Sequence, residues 1–503
     1  MPGVANPDPR ALESPAAGSA RTRATLAPLL LTPVVLLIHG YHPWANDGGI
    51  YTAGIRHILN PALYPLNSVF VTVFTRHSVF PWIVTTLVRT THLSLAWTLL
   101  LLYLATIWLF LESCRAVAAR VVADPTARTF ALVLAAAAFT LPVAATALSV
   151  MDPYLTARSF STPLGLLAVA ACLDRAWVRT TLLLVAGILF HPLMGAWATA
   201  FVLLLALNAR GRSRAAISLA FLAFVAAGVA FAVTLDHPAP AAYQEAVALP
   251  AHSFLVLARW HWYEILGLVL PLVLFAAAPR HRRSLRALCL AALQLGLAAS
   301  LIAALFVPAH GRLLLVPLQP LRAFHILYAV GIILCGGVLG ALYQRSRLAA
   351  SALIAVLFAA MFLMQCAAWP GSSFVEWPGT PPRNPWQQAF LWIRNHTPAN
   401  AVFAFDPRLV YEPGEDEQGF RVLSERDQLA DDKDSGIVVV APHLAARWAA
   451  QRNAQLGINS MSDEERLANL TPLGANWLLL PPASATSFPC PFTNAALKVC
   501  KMK

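Results

Sequence analysis

The sequence predicts a polytopic α-helical membrane protein, with about nine to eleven transmembrane helices and a small C-terminal α/β extracytoplasmic domain. Three observations carry that expectation. Of the 503 residues, 58% are apolar and only 12% are charged, about half the charged fraction of an ordinary soluble domain. Apolar stretches long enough to cross a bilayer recur up to Trp369. The net charge of +12 is also unevenly spread. The chain is strongly basic before Pro370 and slightly acidic after it, and its lysines (Lys433, Lys498, Lys501 and Lys503) all lie in the later part. This composition excludes a soluble enzyme, a coiled coil and a disordered chain. No basic stripe interleaved with aromatics marks a nucleic-acid partner.

Residues 1–24, rich in Pro, Ala and Arg, read as a disordered cytoplasmic tail. The transmembrane unit is expected over 25–369. Stretches at 25–42, 93–111, 129–150, 215–235, 287–308, 323–343 and 348–369 have spanning length, whereas 161–173 and 264–279 need flanking residues to cross. A tenth stretch, 180–207, is broken at His191-Pro192, because proline removes a backbone donor. Arginines flank it on both sides, so one straight crossing would violate the positive-inside rule. Two short helices that dip in and return satisfy the rule, with His191 near their tip, for nine full crossings; if both cross, the count is eleven and the parity is the same. The arginines at 10–23, 115–128, 175–179, 210–214, 280–286 and 345–347 then share one face of the membrane. That face is the cytoplasmic one. The N-terminus is therefore expected inside and residues 370–503 outside, as in a bacterial inner (plasma) membrane protein.

The exported domain reads as a small layered α/β sheet, for which a parallel arrangement is an option. A helix is expected over 385–396, strands at Ala401–Phe405, Gly436–Val440 and Trp477–Leu480, and a helix over Pro442–Leu456. The acidic runs Glu412–Glu417 and Asp431–Asp434 read as solvated loops, since their spacing lacks the alternation of a calcium site. Cys490 and Cys500 are expected to form a disulfide, which suits an oxidising compartment. No metal site is expected.

Function should lie on the outer loops, where ionisable groups near the membrane are costly to keep. The first, about 42–92, contains Asn46-Asp47-Gly48-Gly49, and Asp47 is its only acid. Spacing alone leaves Asp47 either as the cap of a helix Gly48–Leu59 or as a catalytic carboxylate. A second loop pairs Asp152 with Arg158 six residues on; a third sets Arg259 in an aromatic belt; a fourth brings Arg322 and His325 one helical turn apart. The outer arginines outnumber the outer acids, which points to an anionic ligand, and Arg is well shaped for phosphate. Arg158, Arg259, Arg322, His325 and Asp152 are thus the candidate substrate-binding residues.

These elements together resemble the GT-C superfamily of polytopic glycosyltransferases that use lipid-linked sugars. The resemblance rests on the acid after the first span (Asp47 in NDGGIY), the amphipathic first loop and the broken helices around HPLMG (His191–Gly195). It rests also on the exported domain with its helix-strand start FLWIRNHTPANAVFAFDP (Phe390–Pro407). It implies inverting transfer of a sugar from a polyprenyl-phosphate donor to an acceptor on the outer face, with Asp47 as general base. Many members carry two adjacent acids where this chain has Asn46-Asp47, a departure that weakens a metal-dependent reading, and no cofactor is expected. The partners implied are the lipid-phosphate sugar donor and membrane lipids; the sequence names no acceptor. Two alternatives from other classes remain at this stage: a transporter or flippase of a lipid-linked or anionic substrate, and a non-catalytic scaffold whose exported domain binds partners.

Overall fold

The protein is described by a computed structural model over residues 15–210, 239–278, 282–306, 316–411 and 419–502, with scattered helical positions between 221 and 234. Most of the expected span 215–235 and all of Glu412–Glu417 lie outside the described residues.

The described residues begin with α1 (Pro15–His39), so the last ten residues of the expected tail are helical. The first loop folds into three helices, α2 (Asn46–Leu59), α3 (Ser68–Arg76) and α4 (Phe80–Thr91). A helical bundle follows: α5 (Leu95–Val121), α6 (Pro125–Ala137), α7 (Arg158–Leu173), α8 (Trp177–Phe190) and α9 (Pro192–Ala209). After α10 (Ala241–Ala248) it resumes with α11 (Trp262–Ala277), α12 (Arg283–Phe306), α13 (Phe324–Arg345) and α14 (Arg347–Ala368). Among the described residues, five helices are long and apolar enough to cross a membrane: α5, α9, α12, α14, and α13 with the turn before it. The other apolar helical stretches, Leu26–His39 of α1 among them, are shorter than a bilayer core. Large apolar side chains point outward along the bundle, including Leu30, Val178, Leu270, Leu348, Val356 and Leu363. A water-facing surface would not carry them. The chain is an integral membrane protein.

One expectation about the spans needs correction. The stretch 129–150 is not one helix: α6 ends at Ala137, and residues 138–157 fold back on themselves, with Val143 N–H donating to Leu148 O at 2.8 Å and Val150 N–H to Leu141 O at 2.9 Å. Pro142 and Pro153 lie in this segment and cannot donate to a helix. The break at His191 occurs as expected, with extended backbone there. The second arm, α9, has the length and apolar composition of a span, and the first, α8, is shorter. Close packing between α6 and α13 depends on glycine. A Cβ at Gly336 or Gly340 would lie 2.2 or 2.4 Å from the Cα of Ala131 or Ala127. Small residues one turn apart let helices approach where the lipid offers no hydrophobic drive.

The C-terminal domain carries α15 (Pro385–His396), α16 (Phe420–Ser424), α17 (Ser435–Val440), α18 (Ala445–Gln455) and α19 (Asp463–Leu470) around one sheet. Its strands are β1 (Val402–Ala404), β2 (Asp427–Gln428), β3 (Trp477–Leu480), β4 (Phe492–Thr493) and β5 (Lys498–Lys501), in the order β2-β1-β3-β5-β4. The first three are parallel and β5 and β4 run antiparallel, so the sheet is mixed. Gly436–Val440, expected as a strand, is helix α17. Its Ile437, Val438 and Val439 are buried in one cluster with Phe70 of α3, Tyr243 of α10 and Trp448 of α18, and that burial outweighs the β-propensity of the run. The neighbouring Asp431–Asp434 run is not a solvated loop either. Asp431, Asp432 and Asp434 are buried: Arg421 holds Asp434 through two bonds of 2.8 and 2.7 Å, Arg452 holds Asp432 at 2.5 Å, and Gln428 holds Asp431 at 2.6 Å. Cys490 and Cys500 are disulfide-bonded, which ties the segment before β4 to β5.

Candidate functional site

The site begins with the close approach of two backbones. A Cβ at Gly48 would stand 2.9 Å from Pro43 O and 3.2 Å from Tyr154 Cβ. Glycine there lets the start of α2 press against the turn that precedes α7. The approach carries Asp47, in the first turn of α2, over Arg158, the first residue of α7. Arg158 Nη1 donates to Asp47 Oδ2 at 2.8 Å, and its Nη2 donates to Asp152 Oδ2 at 2.9 Å. Arg158 and Asp152 are buried, whereas a third of the Asp47 side chain stays exposed. Asp152 therefore fixes Arg158 from behind, and Arg158 presents Asp47.

What Asp47 faces is a cavity of about 410 Å³, lined from four directions. The first loop contributes Ile50, Tyr51, Phe74 and His77, and the α8–α9 break contributes Phe190, His191 and Leu193. His252, Phe254 and Arg322 come from the connections around α10 and α13, and the C-terminal domain closes it with Asp432, Lys433 and residues of α17. Lys433 Nζ lies 3.4 Å from Asp47 Oδ1. Arg322 stacks over Phe254 with its charge 5.0 Å from the ring centroid. No carboxylate among the described residues pairs with it, and its Nε is buried without a hydrogen-bond partner.

The electrostatics follow from this arrangement. Burial alone would raise the pKa of Asp47, but Lys433, Arg158 and Arg322 outweigh it and hold the carboxyl well below the usual range. Asp47 is thus an anion at neutral pH. Burial pushes His252 down to about 4, so it is neutral at pH 7. Three permanent cations therefore surround a cavity that contains Asp47, with Asp152 behind it, while Asp432 in the wall is already paired with Arg452. Such a surplus favours an anion in the empty space. Most of the remaining wall is apolar. Among the described residues, no three His, Cys, Asp or Glu side chains converge as a metal site.

The structure brings together Asp47, Arg158, Asp152 and Arg322. His325 is buried one turn from Arg322 and lines a small adjoining recess with Ser161 and Trp197. Arg259 lies elsewhere: it is exposed and its Nη1 donates to Ala248 O at 3.1 Å. The alternative of a capping Asp47 is not what the side chain does, since its carboxylate is engaged by Arg158 and Lys433. The sequence does not single out Lys433, because it sits within an acidic run that reads as a loop. No local signal there betrays that Arg421, Arg452 and Trp448 bury the run.

Fold and site define an integral membrane protein with a cation-rich cavity closed by a small α/β domain. A family model described as a domain of unknown function (DUF6798) matches residues 384–450, which include Lys433. No curated protein matches the chain. Among solved structures, the chain is similar to ArnT from Cupriavidus metallidurans in the apo state, at 15% identity and a TM-score of 0.44, covering 96% of this chain and 98% of that one.

Proposed function

We propose that the cavity at Asp47 transfers a sugar from a lipid-phosphate donor to an acceptor hydroxyl, on the outer face of the membrane. The observation that carries this reading is Arg322, a cation in the cavity with no acid partner among the described residues, beside a carboxylate already shared by Arg158 and Lys433. An anionic group seated there would draw on all three cations. The apolar wall formed by Phe74, Phe190, Leu193 and Phe254 suits the start of a hydrocarbon tail, and the resemblance to GT-C enzymes points to the same donor.

In the reaction, Asp47 accepts the proton of the acceptor hydroxyl as its oxygen bonds to the anomeric carbon. The bond from that carbon to the phosphate oxygen breaks, and its electron pair stays on the phosphate. The cations stabilise the charge that develops there. A single displacement of this kind inverts the anomeric centre. Asp47 is a weak base while Arg158 and Lys433 hold it. When the donor phosphate recruits those cations, their grip on the carboxylate loosens and its basicity rises toward what proton transfer needs. In this reading the N-terminus is cytoplasmic, and the C-terminal domain closes the site from outside.

Asp47→Asn tests the proposal, because it keeps size and removes the base. With a polyprenyl-phosphate sugar and the native protein as reference, turnover should fall roughly 100-fold or more while donor binding survives. Near-normal transfer by the Asn variant, or failure of the native protein to turn over any such donor, would end the claim.

A further inference from the structure

The C-terminal domain holds a second cavity, of about 750 Å³, that shares no lining residue with the first. Its position follows from the topology. From β1 the chain crosses to β2 on one side, then returns to β3 on the other, with all three strands parallel. The loops leaving β1 and β3 therefore diverge, and the space beyond their carboxyl ends stays open. Open parallel sheets bind ligands at this kind of switch point. The cleft is built there, from Asp406, Arg408 and Leu409 after β1, and Leu479, Leu480 and Pro481 at the end of β3.

Its chemistry narrows the ligand class. Asp406 Oδ1 and Oδ2 accept from Arg408 Nε and Nη2 at 3.2 Å each, so the pair neutralises itself and favours neither a cation nor an anion. Asp406 Oδ2 also accepts from Asn459 Nδ2 at 3.2 Å, which orients that amide and leaves Asn459 Oδ1 buried with no partner. A buried acceptor without a donor is costly. The Arg408 side chain remains 55% exposed, with donors to spare. Trp386, Tyr411 and Leu497 also line the cleft. A neutral ligand that offers both donors and acceptors beside apolar faces satisfies all of them. Sugars have that character: hydroxyls around the ring edge and C–H groups on its faces.

We propose that this cleft is a saccharide-binding site. Its placement ties it to the first cavity, because Asp432 N–H donates to Pro407 O at 3.0 Å. The loop that floors the cleft is thereby bonded to the loop that carries Lys433. The inference does not rest on transfer at Asp47.

Full-length, fluorescently labelled protein in detergent should be applied to an array of neutral, amino and acidic oligosaccharides. Neutral oligosaccharides should be retained, and Trp386→Ala, Arg408→Ala and Asn459→Ala should each weaken retention about 10-fold or more. Thermal melting reports whether each variant is folded, and Trp386→Phe, which keeps a ring, should retain most binding. Asp47→Asn should bind as the native protein does, which separates this site from the transfer reaction. No retention of any saccharide, or retention unchanged in folded Arg408→Ala and Asn459→Ala, would overturn the assignment.

Discussion

Lys433 of the C-terminal domain reaches 3.4 Å from Asp47 of the first loop. The ion pair joins two parts of the chain that sequence separates by the whole helical bundle, and it makes the C-terminal domain a wall of the cavity. Because both side chains are partly exposed, the pair contributes less than about 1 kcal/mol to stability. Its consequence is chemical. Lys433→Ala should leave the melting temperature within a few degrees and raise the donor KM about 10-fold, and Lys433→Arg should recover much of the loss. An unchanged KM would remove Lys433 from the site.

Arg322 and Arg158 should respond differently to the same substitution. Arg322 has no carboxylate to leave behind among the described residues, so Arg322→Ala should weaken lipid-phosphate binding about 10-fold or more with little loss of stability. Arg158→Ala strips the partner from Asp152, a buried acid 2.9 Å away. Breaking a buried pair in that way costs about 3–5 kcal/mol. Denaturation and donor binding measured on both variants check the contrast. Equal destabilisation by the two changes would assign Arg322 a structural role.

The charge on Asp47 sets a pH dependence. Burial opposes its ionisation, yet Lys433, Arg158 and Arg322 lower its pKa below the unfolded value of 3.8. The stability from this lowering is present above that value and is lost as pH falls through the depressed folded value. The melting temperature of the native protein relative to Asp47→Asn should therefore be constant from pH 7 to about 5 and shrink below about 4. A difference that changes between pH 5 and 7 would mean that Asp47 is not held by these cations.

The bond between Cys490 and Cys500 predicts that alkylation of unreduced protein spares both thiols. Reduction should cost on the order of 2–3 kcal/mol, as expected for a short closed loop. Membrane orientation is checked by a reporter fused after Lys503. Alkaline phosphatase activity there, which requires an oxidising compartment, agrees with an exported C-terminal domain; a reporter active only in the cytoplasm reverses the topology and the outer-face reaction with it.

Much of this protein is written in its local pattern. Apolar stretches and arginine clusters mark the bundle because bilayer thickness and inside charge act on short segments one at a time. His191-Pro192 breaks its helix for a reason contained in one residue, and α15, β1 and β3 follow from periodicity and turn signals. Asp47 stood out as the sole acid of its loop, and Arg158 and Asp152 lay close enough in sequence to be paired on sight. Tertiary structure decided the rest. The run Asp431–Asp434 is polar enough to read as loop, and it is Arg421 and Arg452, brought from elsewhere in the domain, that make its burial tolerable. Gly436–Val440 is β-branched enough to read as strand, and only Tyr243 and Trp448 packed about it make it a helix. Lys433 lies between those two segments, so its approach to Asp47 was hidden twice. Arg259 and Arg322 have similar local surroundings, and only the path of the chain puts one in the cavity and the other outside it. Local sequence encodes preferences of a few residues for water, lipid or a turn, whereas which charge meets which is a long-range property of packing.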